Sequence, residues 1–255
     1  MATIERVSAP AFTGLPLQEE LAGDVEQLWD LHNLARAKRL IDWTCRHVHR
    51  HARGAVAEVG AGIGTYSDRL LANGAERLVL LEPDDICAGV LDTRFADDPR
   101  VIVAKDAVPD APTLAEHAGR LDAVVSQNVI EHIEDDFGAV EAMAGALRHG
   151  GVVSLQVPAH PKLYNELDRV YGHYRRYDRA HLRNVVEAAG LEVIEMRSFN
   201  LLGVLGWLSK RRNPDPSISA GALKVYETLV PLWRPFEEAL RPRWGLSLLV
   251  HARRV

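Results

Sequence analysis

Three glycines at alternating positions, Gly60, Gly62 and Gly64, lie in the run Glu58-Val-Gly-Ala-Gly-Ile-Gly-Thr-Tyr66, between an apolar segment and a helix-forming one. Such a turn lets backbone amides approach a ligand where Cβ atoms would collide. Glu82 closes the next apolar run, Leu78 to Leu81, where a carboxylate can accept hydrogen bonds from a ribose diol. Together these residues suit recognition of a nucleoside. Two further concentrations of polar groups follow. Asp122 to Asp136 contains Asn128, Val129, Glu131 and His132, and Leu163 to Tyr177 contains Tyr164, Tyr171, His173, Tyr174, Arg175, Arg176 and Tyr177. Tyrosines stack and donate hydrogen bonds, arginines clamp anions, and an imidazole takes a proton from a hydroxyl or amine. The same residues have plainer uses: His132 as a helix-start residue bonded to backbone, the arginines paired with Glu166 and Asp168, and the tyrosines packed on a helix edge.

The elements that must position these groups are legible from periodicity. Apolar positions at helical spacing from Leu17 to Arg50 predict two helices after a loose N-terminal arm. Strands are predicted at Ala55–Val59, Arg77–Leu81, Val101–Val103, Leu121–Val125 and Val152–Val157. Helices alternate with them over Thr65–Asn73, Asp84–Phe95 and Asp135–Leu147, the last stopping at Gly150-Gly151. This cadence predicts a parallel sheet covered on both faces, an α/β doubly wound fold. Asp178 reads as the N-cap of a further helix ending near Gly190. Strands Leu191–Ser198 and Leu246–Ala252 close the chain, with an insert at about 199–245 that is too long for a hairpin.

The chain has 255 residues, a net charge of −5, 47% hydrophobic and 25% charged residues, an ordinary globular balance without a global basic face for nucleic acid. Cys45 and Cys87 share no metal or redox spacing and read as reduced thiols. With no basic-then-apolar leader, a cytoplasmic location is expected. No run approaches the roughly 20 apolar residues of a membrane span.

Dinucleotide folds favour G-x-G-x-x-G, whereas Thr65 stands here at the third glycine's place. On EVGAGIGT the sequence resembles the class I S-adenosylmethionine-dependent methyltransferases, which implies a seven-stranded Rossmann-like sheet with an antiparallel last strand and S-adenosyl-L-methionine as cofactor. The resemblance further implies that Glu58 holds the methionine amino end and that Gly60, Ala61, Gly62, Gly64 and Tyr66 lie against methionine and adenosine. Glu82 and Pro83 would meet the ribose, and Asp106 and Ala107 the adenine, although Asp106 also reads as a loop carboxylate capping amides. Asn128 and Val129 would line the strand exit beside the sulfonium.

The acceptor would meet Tyr164, Tyr171, His173, Tyr174, Arg175, Arg176 and Tyr177, with His173 or His132 as the catalytic base. Some quinone-pathway relatives carry Glu-x-x-Glu-His as a metal site. Here Asn128 stands at the first position, and no metal is expected. The segments His173–Tyr177 and Asn200–Trp207 are similar to those of bacterial members that accompany glycosyltransferases, within a branch resembling the ubiquinone-biosynthesis type. This implies methylation of an oxygen or nitrogen, less readily a carbon, of a small molecule such as a saccharide, glycolipid or secondary metabolite. Residues 1–54 are expected to help cover the site of a methyltransferase domain over 55–255. The insert is expected to act as a lid, with oligomer contact and membrane-surface contact through 199–212 as other uses. The oligomeric state is left open. Two other classes stand beside this reading: a fold member that binds the cofactor without methylating, and an NAD(P)-dependent oxidoreductase.

Overall fold

In the computed structural model, which describes residues 36–210 and 220–255, the alternating segments form one seven-stranded sheet of order β3-β2-β1-β4-β5-β7-β6. Its strands are β1 (Gly54–Val59), β2 (Ala75–Leu81), β3 (Val101–Ala104), β4 (Leu121–Gln127), β5 (Leu147–Pro158), β6 (Leu191–Phe199) and β7 (Ser247–Arg254). The first five pair in parallel, and β7 runs antiparallel to both β5 and β6. The helices are α1 (Lys38–Val48), α2 (Ser67–Asn73), α3 (Asp85–Phe95), α4 (Pro112–Glu116), α5 (Asp136–Ala146), α6 (Glu166–Val170), α7 (Arg179–Ala188), α8 (Leu201–Lys210) and α9 (Ala220–Leu240). The first expected helix, beginning near Leu17, lies outside the described residues.

Successive residues of the central strands point to opposite faces, and both faces are buried. Val56, Leu78, Leu80, Ala123 and Val125 meet Leu70 of α2 and Leu91 and Phe95 of α3. Ala57, Val79, Leu81, Val124 and Val153 meet Met143 of α5 and Leu182 and Val185 of α7. A smaller cluster of Trp43, Phe199 and Val230 fastens α1 and α9 to the end of β6. Asp84, Asp135 and Asp178 cap α3, α5 and α7 by accepting bonds from helix-start amides. Cys45 and Cys87 are both buried and reduced.

One expected boundary is corrected. The Gly150-Gly151 pair lies inside β5 rather than ending a helix, because Leu147 already pairs with Leu121 and the register shifts before Ala123 meets Val152. A Cβ on Gly151 would sit 2.9 Å from the Arg148 carbonyl oxygen and 3.0 Å from that of Leu121, so the bulge requires glycine there.

Where α1 meets the sheet, histidines replace apolar residues. His251 of β7 bonds Ser154 through Nδ1 at 2.8 Å, and His49 bonds Gln127 at 2.9 Å. Burial pushes His251 down to about 3 and His49 and His47 down to about 4. The unfolded chain therefore takes up protons below about 6.5 that the native state refuses, so stability is full above that pH and lost as pH falls towards 4. Thermal melts from pH 7 to pH 4 should show a smaller loss of Tm for His251→Asn than for the unaltered chain.

Candidate active site

The carboxyl ends of four neighbouring strands form one edge, and the expected nucleoside-binding residues stand along it. Asp106 follows β3, Glu82 follows β2, Gly60 follows β1 and Asn128 follows β4. Backbone bonds tie the loops to this edge: Gly60 and Ala61 donate to the Leu81 carbonyl, Glu82 to Ala104, and Asn128 to Gln156. Gly60 has φ of 76° and Gly64 has φ of 81°. A Cβ on Gly60 would strike Val129, so the glycine turn and the β4 exit pack directly on each other.

The Glu82 carboxylate accepts from the Gly62 amide at 2.7 Å and from the Asp84 amide at 3.1 Å. Burial raises its proton affinity, and the two amide bonds work against that rise. A carboxylate offers about four acceptor lone pairs, so these bonds leave capacity for a diol. Glu58 lies beneath the turn, 2% exposed, accepting from the Ser67 hydroxyl at 2.6 Å, and burial pushes it up to about 8. In this position it anchors the start of α2 to β1. Asp106 accepts from the Thr113 amide at 2.7 Å, which is the capping use foreseen as its alternative, while Ala107 and Pro83 are exposed. Ala61 is buried in the turn, and Tyr66 is the residue preceding α2. The cradle glycines, the diol-ready Glu82 and the exposed Asn128 with φ of 54° suit an adenosyl ligand extended along the edge.

The second set gathers where β4 leaves the sheet. Asp168, with no exposed surface, is the N3 residue of a capping box at α6 and accepts from the Asn165 amide at 2.9 Å. Its Oδ1 also lies 2.8 Å from His173 Nδ1 and 2.8 Å from Arg176 Nε. Burial opposes its ionisation, but the bonds from His173 and Arg176 prevail and hold the carboxyl below its ordinary range. The His173 ring meets that of His132 edge to face at 4.6 Å. His132 is pushed down to about 4, first by burial and then by the neighbouring His173, against bonds to the Tyr171 and Gly172 backbone.

Glu131 is fully buried, with neither carboxylate oxygen bonded among the described residues, and burial pushes it up to about 8. One potential ligand atom from each of Glu131, His132 and His173 lies within 4.8 Å of the others. The third donor that residue 128 lacks therefore comes from His173, in the segment that follows β5.

Several expected acceptor residues have structural occupations. Tyr177 has no exposed surface and donates to Asp136 at 2.9 Å, so it is a core residue and its placement in the acceptor site is corrected. Arg175 donates to the Ile133 and Glu134 carbonyls and faces Asp136 at 3.1 Å, so in this structure it ties the segment to the end of β4. Arg176 is buried against Asp168, the Ala159 carbonyl and the Trp207 ring, 4.1 Å away. Tyr164 donates to the His173 carbonyl at 2.7 Å. Tyr174 is exposed, with its amide on Glu131, and Tyr171 is half-buried beside His173, with ring centroids 6.0 Å apart. Asp168 as the group that orients His173 escaped the sequence reading. Its signal was the five-residue interval to His173 behind an Asn165 cap.

The fold and this edge define a Rossmann-like methyltransferase domain. A family model described as a methyltransferase domain matches residues 22–196. A curated protein of Mycolicibacterium smegmatis named "Probable S-adenosylmethionine-dependent methyltransferase" is 31% identical over 150 residues, 58% of this chain. The match spans about half the length of that relative, 56%. Among solved structures, the geranyl diphosphate C-methyltransferase of Streptomyces coelicolor A3(2), with Mg2+, geranyl diphosphate and S-adenosyl-L-homocysteine, gives a TM-score of 0.62 at 16% identity. That likeness covers 94% of this chain and 89% of the other. The cyclase SpnF gives 0.54 at 14% identity, covering 85% and 80%. The chain belongs to the class I S-adenosylmethionine-dependent methyltransferase family, whose cofactor is S-adenosyl-L-methionine.

Loss of the Glu82 carboxylate should remove the ribose contact and slacken the Gly62 amide together. By isothermal titration, Glu82→Ala should weaken S-adenosyl-L-homocysteine binding by roughly tenfold or more, the scale of a charge-assisted bond. An unchanged Kd would place the ribose elsewhere.

Proposed function

We propose that the protein transfers a methyl group to an oxygen or nitrogen, less readily a carbon, of a small molecule, with a saccharide, glycolipid or secondary metabolite as the acceptor class. The observation that carries this reading is the nucleoside-binding edge ending at Asn128, beside a histidine held by a buried carboxylate. The bound cofactor supplies an activated methyl group on a sulfonium. The protein's own part is alignment, exclusion of water and removal of one proton. Asp168 holds the Nδ1 side of His173, which leaves Nε2 as the nitrogen able to accept a proton from an acceptor hydroxyl or amine. His132, kept neutral by burial, is the second proton acceptor at the same place. Tyr164 fixes the backbone of His173, and exposed Tyr174 offers a ring for stacking on the acceptor.

The insert takes part as cover: Trp207 of α8 lies on Arg176 and donates to the Leu163 carbonyl at 3.1 Å, tying α8 to the histidine segment. Exposed Leu205 and Leu208 on α8 suit weak membrane-surface contact by the 199–212 run when the acceptor is amphiphilic.

A second use of the same cluster is favoured by Glu131, whose buried and unbonded carboxylate could join His132 and His173 on a divalent cation. A third reading, cofactor binding without methyl transfer, draws support from the likeness to a cyclase, since one fold serves several reactions.

Incubation with labelled methyl donor and candidate acceptors separates these readings. Methylated product supports the proposal, whereas tight cofactor binding with no transfer to any acceptor supports the third reading. His173→Phe should lower kcat by roughly 10² or more while leaving cofactor affinity within about twofold. Turnover abolished by a chelator and restored by a divalent cation would move His173 from base to metal ligand. Full turnover in His173→Phe without metal dependence would place the base at His132.

A further inference from the structure

Helix α9 turns its acids towards the protein and a row of apolar residues towards solvent. Glu227 accepts from the Arg39 and Leu40 amides at 2.9 and 3.0 Å, capping the start of α1. Glu237, 1% exposed, accepts from the Asn200 and Leu201 amides at 2.6 and 2.9 Å, capping α8. Glu238 turns inward to His47 and Arg234. Tyr226, Val230 and Trp233 fill the space between these acids.

The opposite face carries Val225, Leu229, Leu232, Phe236 and Leu240, which are 60%, 40%, 66%, 62% and 72% exposed. Their spacing of four, three, four and four residues makes a continuous stripe over the outer side of the helix. Pro231, Pro235 and Ala239 widen it, and Leu205 and Leu208 of α8 are exposed as well. A soluble helix normally shows water its charges, so an apolar face of this extent marks a contact.

The charges around the stripe decide between occupants. Lys224 is exposed at one end and Arg241 and Arg243 at the other, while every carboxylate of α9 is engaged on the inner face. A twofold pairing of two copies through this helix would set Lys224 of one near Arg241 and Arg243 of the other, with no carboxylate of α9 on the outer face to offset them. An anionic lipid surface satisfies both features: acyl chains take the stripe and headgroups take the cations. Exposed Trp244, stacked on His160 at 4.2 Å, adds a ring of the kind that settles at headgroup depth. No helix among the described residues is long and apolar enough to cross a membrane, so the contact is one that lies on the surface.

We infer that the outer face of α9 docks the protein on anionic membranes. The inference is independent of the reaction proposed above, because it rests on surface alone. Co-sedimentation of the full chain with phosphatidylcholine vesicles, with and without phosphatidylglycerol, tests it. The expected result is binding at least roughly tenfold stronger with phosphatidylglycerol, weakened by salt, and lost by at least that factor in the Leu232→Glu, Phe236→Glu double variant.

Since both side chains are exposed, the variant should keep its near-UV circular dichroism and Tm. If it does not, Lys224→Glu with Arg243→Glu should remove the preference for phosphatidylglycerol. Absence of vesicle binding overturns the inference, as does equal binding by the parent and a folded variant. A dimer in lipid-free solution that Phe236→Glu dissociates assigns the face to a second copy and overturns it too.

Discussion

The buried Asp168 carboxylate is the interaction on which the histidine cluster at the exit of β4 depends. It closes the capping box of α6, fixes the His173 imidazole and pairs with Arg176. Through Arg176 it reaches the Trp207 ring, and through His173 it reaches His132 at the exit of β4. Removing one partner of such a buried pair leaves an uncompensated charge, so a change at Asp168, His173 or Arg176 loosens the segment after β5 and its contact with Trp207 of the insert together. The arrangement is stable because each Asp168 oxygen has bonded partners and Arg176 is satisfied from three sides.

The donor side follows a different logic, in which backbone geometry rather than charge sets the form. Glycines with positive φ bend the chain over the ends of β1 and β2, and Glu82 fastens the turn by accepting from the Gly62 amide. Val129, arriving from β4, occupies the volume a Cβ on Gly60 would need. The two sides therefore meet at one residue, and any shift in the β4 exit is felt by the glycine turn.

The sequence made the donor side legible because its constraints are local. Alternate glycines, the Glu82 carboxylate at a strand end and the strand–helix alternation each leave a mark within a few residues. The histidine and arginine cluster after β5 is built by long-range pairs that leave no such mark. Nothing near Arg175 reveals that it will donate to carbonyls more than forty residues away, and nothing near Tyr177 reveals Asp136 as its partner. The stripe on α9 is a related case, because residue spacing alone does not say which face turns inward, and Glu227 and Glu237 face the protein by capping two other helices. The β5 bulge escaped for the same reason, since Gly151 is required by the Leu121 carbonyl on a neighbouring strand.

The insert begins where it ends. Phe199, the last residue of β6, is the register partner of Ser247, the first of β7, so the whole of α8 and α9 hangs from one point on the sheet like a long hairpin loop. Closing a longer or shorter loop at such a point changes the entropy only slowly with length. A lineage could therefore exchange this segment for another, gaining a new cover or a new attachment, while the strands that hold the nucleoside were inherited unaltered.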